Sequence, residues 1–278
     1  MRIIDAHQHC WDLARPECAW PGRELAPIYR DFSPDDWRAQ ATAHGVTGAL
    51  LVQSQPSDAD TDYLLRLAAG HDWILGVVGW VDLAADRVLA RIAELASQPR
   101  LCGLRPMLQN LAADDWILQP ALAGALAAMS DFQLRFDALV YSRHLPSIHS
   151  LARRYPGLRI VLDHAAKPDI AGGEWQRWVD AVARLAECSN VCCKLSGLLT
   201  EMDVGQEDTA LVPYVEYIFQ VFGAQRILWG SDWPVVNLAA DYGHWLSLSR
   251  RLVREQAPES QQAVFCTNAL RFYGLEPQ

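Results

Sequence analysis

Short apolar runs rich in β-branched residues alternate with stretches whose apolar residues recur every three to four positions, along the whole 278-residue chain. Eight runs read as strands: "RIIDAHQ", "TGALLVQ", "WILGVVGW", "LCGLRPM", "LRFDALV", "LRIVLDH", "NVCCKLSG" and "RILWGSD". The segments between and after them read as amphipathic helices, among them "SPDDWRAQATAHG", "ILQPALAGALAAMSD", "EWQRWVDAVARLAECS" and "YGHWLSLSRRLVREQ". Ser33, followed by Pro34 and Asp36, has the form of an N-cap with proline in the first turn, while Gly45, Gly70, Gly157 and Gly223 fall where helices should stop. Strand–helix repeats of this kind give parallel sheets with right-handed crossovers, and eight of them close naturally into a (β/α)8 barrel. An open doubly wound sheet competes, but no GxGxxG follows the first strand to support its dinucleotide-binding form. No linker divides the chain, so residues 1–278 are expected to form a single α/β barrel domain. The long segments after strands one and seven then read as βα loops, which in a barrel lie on the C-terminal face where active sites are built.

Composition narrows the class. Hydrophobic residues make up 51% and charged ones 21%, which suits a folded globular chain. The formal net charge of −9 and the lack of a basic patch with interleaved aromatics argue against nucleic acid and favour a small-molecule substrate. No apolar run approaches the roughly 18 residues of a membrane span, and no secretory signal pattern opens the chain, so a cytoplasmic location is expected. The seven cysteines are odd in number and include no CxxC, so neither a disulfide framework nor a zinc ribbon is indicated. Of 24 basic residues, only Lys167 and Lys194 are lysine, which marks those two positions.

Polar residues then stand out at the C-terminal ends of the strands. Strand one ends with His7 and His9, strand two with Gln53, strand four with Arg105, strand six with His164, strand seven with Lys194 and Ser196, and strand eight with Asp232. Each has an ordinary structural explanation: a hydrogen-bonded core histidine, a helix cap at Asp232, an ion pair at Arg105, a turn cap at Ser196. Together, three imidazoles and a carboxylate on strands one, six and eight make a metal-ligand set or a water-activating set. His144, in "YSRHLP" after strand five, falls at the same face. Lys194 either faces the mouth or pairs with Asp163 or Asp232.

The motifs "IIDAHQHCWD", "LCGLRPMLQ", "IVLDHAAKPDI", "VCCKLSGLLTE", "ILWGSDWPV" and "NALRFYGL" cover nearly the whole chain, and with them it resembles the amidohydrolase superfamily. Within that superfamily it is similar to the amidohydrolase-2 group of sugar-acid lactonases, the L-fuconolactone and L-rhamnonolactone hydrolases, which are related to pyrone-dicarboxylate lactonase. The resemblance implies a distorted (β/α)8 barrel hydrolysing a lactone. It assigns His7 and His9 to the strand-one HxH, His164 to the strand-six histidine and Asp232 to the general base. Strand four ends in Arg105 and strand five lacks a ligand histidine, so the binuclear pattern is broken. One divalent ion, Zn2+ or Mn2+, on His7, His9, His164 and Asp232 is the expected limit, and related lactonases can work with none.

On that reading, Asp232 deprotonates water beside His164, and Arg105, Lys194 or His144 polarises the lactone carbonyl. Asp232 or His144 returns a proton to the leaving ring oxygen. Gln53, Trp80, Arg105, Tyr141, Lys167 and Trp233 are the candidates to hold sugar hydroxyls, with tryptophan offering a stacking face. Two alternatives stand beside it: a decarboxylase or hydratase of an aromatic or dicarboxylic acid on the same frame, and a barrel that binds a sugar acid without turnover.

Overall fold

The structure is a computed structural model that describes residues 1–275. Its eight strands are β1 (Ile3–Gln8), β2 (Val46–Val52), β3 (Ile74–Gly79), β4 (Leu101–Leu104), β5 (Arg135–Ala138), β6 (Ile160–Leu162), β7 (Val191–Leu195) and β8 (Ile227–Trp229). Each pairs in parallel with the next, in the order β1 to β8. The ring is drawn together past the ends of β1 and β8. There Asp232 N–H donates to the His7 carbonyl at 2.8 Å, and His9 N–H donates to the Trp233 carbonyl at 2.7 Å. This is the expected eight-stranded barrel, nearly closed.

Helices α1 (Pro34–Ala43), α2 (Asp58–Ala69), α3 (Val88–Ala96), α4 (Ala123–Asp131), α5 (Leu145–Arg154), α6 (Trp175–Ala186), α7 (Val212–Phe222) and α8 (Tyr242–Gln256) wrap the strands. Ser33 caps α1 in a full capping box with Asp36, satisfying donors that the first turn leaves free. Two boundaries differ from expectation. Pro120 confines the start of "ILQPALAGALAAMSD" to short 3-10 turns, so α4 begins at Ala123. Helix α5 ends with Tyr155 as its C-cap, before Pro156 and Gly157, so Gly157 is not its stop.

The period-2 alternation of the strands sorts two cores. Outward residues such as Ile3, Leu51, Phe136, Leu162 and Trp229 pack under the helices. Inward residues Ile4, Ala6, Leu50, Val52, Val78, Val161 and Leu228 meet a ninth helix, α9 (Asn268–Tyr273), through Leu270, Phe272 and Tyr273. That helix plugs the N-terminal end of the barrel and leaves the opposite end for polar side chains. No helix of the described residues is long and apolar enough to cross a membrane.

Candidate active site

The strand-one histidines owe their direction to a bulge. Asp5 pairs with Ala49 and Gln8 with Leu51, so β1 carries one extra residue between them. Asp5 therefore stays on the helix side, accepting from Trp37 Nε1 (3.0 Å), Tyr242 Oη (3.2 Å) and Ser231 N (2.8 Å). His7 and His9 turn into the barrel beyond Ala6. There His7 Nε2 lies 3.2 Å from His9 Nε2, and Asp232 Oδ1 lies 3.3 Å from His9 Nε2 and 3.6 Å from His7 Nε2. His9 Nδ1 is 2.9 Å from the Val52 carbonyl, which only accepts, so Nδ1 carries a proton and Nε2 faces the group.

Two members sit on backbone that side chains rarely adopt. Asp232 has φ +57°, and His164 opens a run of four left-handed residues, His164 to Lys167, with φ between +48° and +62°. The turn aims His164 Nε2 to 3.9 Å from Asp232 Oδ1, while Nδ1 meets Ser196 Oγ at 2.9 Å. Space for these rings is kept by two glycines: a Cβ on Gly230 would come 2.6 Å from His7 Cβ, and one on Gly197 would strike the His164 ring. Burial pushes His164 down to about 4, because Asp232 and Asp163 only partly offset it, so the ring is uncharged at neutral pH. Burial works against ionisation of Asp232, but the facing His164, the hydrogen bond with His9 and the nearby His7 outweigh it and hold its carboxyl below the usual range.

Beneath this group lies a dry ion cluster. Lys194 is fully buried, 2.5 Å from Asp137 Oδ2, 2.9 Å from Asp163 Oδ1 and 3.1 Å from His7 Nδ1. Tyr273 of the plug helix donates to Asp137 at 2.6 Å, and Arg105 Nη1 lies 3.4 Å from both Asp163 and His7 Nε2. Burial would neutralise Asp163, yet Lys194, His7 and Arg105 hold its carboxyl well below the usual range. Burial and then the charge of Lys194 press His7 well below an ordinary imidazole, so it is neutral. Such a cluster survives only when its charges balance, and breaking it is expensive.

Above the group opens a cavity of about 550 Å³ lined by His9, Trp20, Gln55, Arg105, Gln109, His164, Lys167, Glu201 and Asp232 among others. Several residues expected to hold substrate do not line it. Lys194 is spent on Asp137 and Asp163; of its two foreseen partners only Asp163 is the real one. Gln53 is buried and braces Arg105, giving Nε2 to the Arg105 carbonyl at 2.9 Å and accepting the guanidinium on its own carbonyl. Trp80 is tied through its backbone to Thr61, and Trp233 is buried edge-on against Phe32. Tyr141 lies outside the lining, with Lys167 Nζ 5.6 Å from its ring. His144 turns Nδ1 to its own turn at Tyr141 and Nε2 towards Asp114 at 3.9 Å, away from the cavity lining. Trp20, Gln55, Gln109 and Glu201 take their places. Gln55 pins Trp20 by accepting from Ala19 N (3.0 Å) and Trp20 N (3.2 Å) and donating to the Trp20 carbonyl (2.6 Å).

The donor set suits one divalent ion. A tetrahedral zinc ion with bonds of about 2.1 Å sets its ligand atoms about 3.4 Å apart. His7 Nε2, His9 Nε2 and Asp232 Oδ1 already stand 3.2 to 3.6 Å from one another, with Asp163 behind the first histidine as an orienting carboxylate. His164 Nε2, 3.9 Å from Asp232, is at the edge of that set.

The amidohydrolase family model matches residues 4–275. The chain is 47% identical to an L-fucono-1,5-lactonase of Burkholderia ambifaria, over 98% of this chain and 96% of that protein. It is 33% identical to an L-fucono-1,5-lactonase of Burkholderia multivorans, with the same coverage. A crystal structure of an amidohydrolase from Burkholderia multivorans with bound zinc superposes with a TM-score of 0.91 at 33% identity, covering 99% of this chain and 100% of that one. With the barrel, the strand-end histidines and the strand-eight aspartate in place, these likenesses identify the chain as a member of the amidohydrolase family.

Proposed function

We propose that this protein hydrolyses the lactone ring of a sugar acid, with L-fucono-1,5-lactone and similar neutral aldonolactones as its substrates, and that Asp232 is the base. The observation that carries this reading is the placement of Asp232: an ionised carboxylate on the wall of an open cavity, within 4 Å of His9 and His164. Its likeness to curated lactonases over almost the whole chain supports the choice of substrate.

In the reaction, Asp232 takes a proton as the water oxygen bonds to the lactone carbonyl carbon. Arg105 lines the cavity, and its Nε is a buried donor with no acceptor among the described residues; it is the group to meet the oxyanion. The ester C–O bond then breaks, and the proton held by Asp232 passes to the ring oxygen, leaving the open-chain acid. His7, His9 and Asp232 would hold a divalent ion, which would add positive charge beside the reacting carbonyl. Trp20 offers the flat apolar face against which a sugar ring packs, and Gln109, whose buried Oε1 has no partner among the described residues, accepts from a hydroxyl.

Acid release from L-fucono-1,5-lactone, followed with a pH indicator, tests this directly. Release far above the spontaneous rate is expected. No acceleration with any neutral aldonolactone contradicts the reading.

A further inference from the structure

Four side chains that carry formal charge line the cavity: Arg105, Lys167, Glu201 and Asp232. Arg105 faces Asp163, just past β6, and Lys167 Nζ sits 2.7 Å from Glu201 Oε1. Both backbone positions of the second pair are fixed. Lys167 ends the left-handed turn after β6, with its N–H on the His164 carbonyl at 2.8 Å. Glu201 ends the turn Leu199–Glu201 after β7, its N–H on the Leu198 carbonyl at 3.2 Å and its carbonyl receiving Ala171 N–H at 3.1 Å. The pair thus joins two loops across the cavity wall, and only a minor part of each side chain is exposed.

This arrangement has a chemical consequence for the ligand. A lysine already satisfied by a carboxylate has little to offer a second anion, and the carboxylate beside it repels one. Hydroxyl groups suffer neither penalty, since they donate to Glu201 and accept from Lys167. We propose that the Lys167–Glu201 pair is the charge filter of this cavity: it admits lactones whose substituents are neutral hydroxyls and excludes lactones that carry a free carboxylate. The inference rests on the hydrolytic reading above and sharpens its substrate class. Selectivity is obtained here by an element that disfavours the wrong ligand, rather than by extra affinity for the right one.

Two substitutions of opposite sign test it. Glu201→Gln keeps the shape and removes the negative charge, leaving Lys167 as an uncompensated cation. The ratio of kcat/KM for L-fucono-1,5-lactone over that for D-glucaro-1,4-lactone, which bears a carboxylate, must fall by about tenfold or more. Lys167→Met leaves Glu201 alone and must raise the same ratio. Circular dichroism melts verify folding, and if Glu201→Gln does not fold, the Lys167→Met ratio decides. Calorimetric binding of glucarate needs no turnover and must tighten about tenfold in Glu201→Gln. Ratios within about twofold of wild type in both variants, or no gain in glucarate affinity, overturn the filter. A gain in glucarate affinity in a protein that opens no lactone supports the filter and overturns only the hydrolytic reading.

Discussion

His7 Nε2 and His9 Nε2 stand 3.2 Å apart inside the barrel mouth, held to opposite supports: Asp163 and Lys194 behind the first ring, the Val52 carbonyl behind the second. Two nitrogen donors at that spacing with Asp232 beside them suit a single metal ion. Calorimetry of chelator-treated protein with zinc is expected to show one equivalent bound, and His9→Ala is expected to weaken that binding at least about tenfold. Two equivalents, or an unchanged affinity in the variant, would contradict the assignment.

The ion cluster under the site makes a separate prediction for stability. Lys194→Met leaves Asp137 and Asp163 facing one another in a dry interior, and should cost about 3–5 kcal/mol in denaturant unfolding. The double variant Asp137→Asn with Lys194→Met removes one charge of each sign and should be less damaged than the two single losses sum to. A single-variant loss under about 1 kcal/mol would mean that the cluster is solvated.

Acid should weaken the fold through His164. Its folded value is depressed, to about 4, against 6.5 in an unfolded chain, so between those values the unfolded state binds the extra proton. Stability is therefore full above about pH 6.5 and is lost as the pH falls towards 4. This one ring should account for about 2 kcal/mol between pH 7 and pH 5. His164→Asn should flatten the profile by that amount, and a profile that it leaves as steep would place the acid sensitivity elsewhere.

Much of this architecture was legible from residues alone, and the exceptions share a cause. All eight strands announce themselves as alternating or apolar runs, and those of β1, β4, β6, β7 and β8 lead into His, Arg, His, Lys and Asp. Helix α9 does not, since six residues with nearly every side chain buried show no amphipathic period. His7 and His9 lie within a residue of the end of β1, His164 two residues past β6 and Asp232 three past β8, close enough to place all four at the barrel mouth. Past that point the chain leaves the period-2 rule: nothing in "DHAAKP" forecasts four left-handed residues, and nothing in "ECAWPG" says that Trp20 and not Trp80 or Trp233 borders the cavity. Alternation puts Lys194 on one face with Cys192 and Ser196, but it cannot say whether that lysine meets substrate or the carboxylates of Asp137 on β5 and Asp163 just past β6.

The role of Asp232 is the centre of the account, and Asp232→Asn measures it most directly. The amide keeps the side chain's size but cannot accept a proton from water. With L-fucono-1,5-lactone, kcat should fall by about a thousandfold, while calorimetry should show the open-chain acid still bound. A kcat within about tenfold of wild type in a correctly folded variant would contradict the assignment of Asp232 as the base.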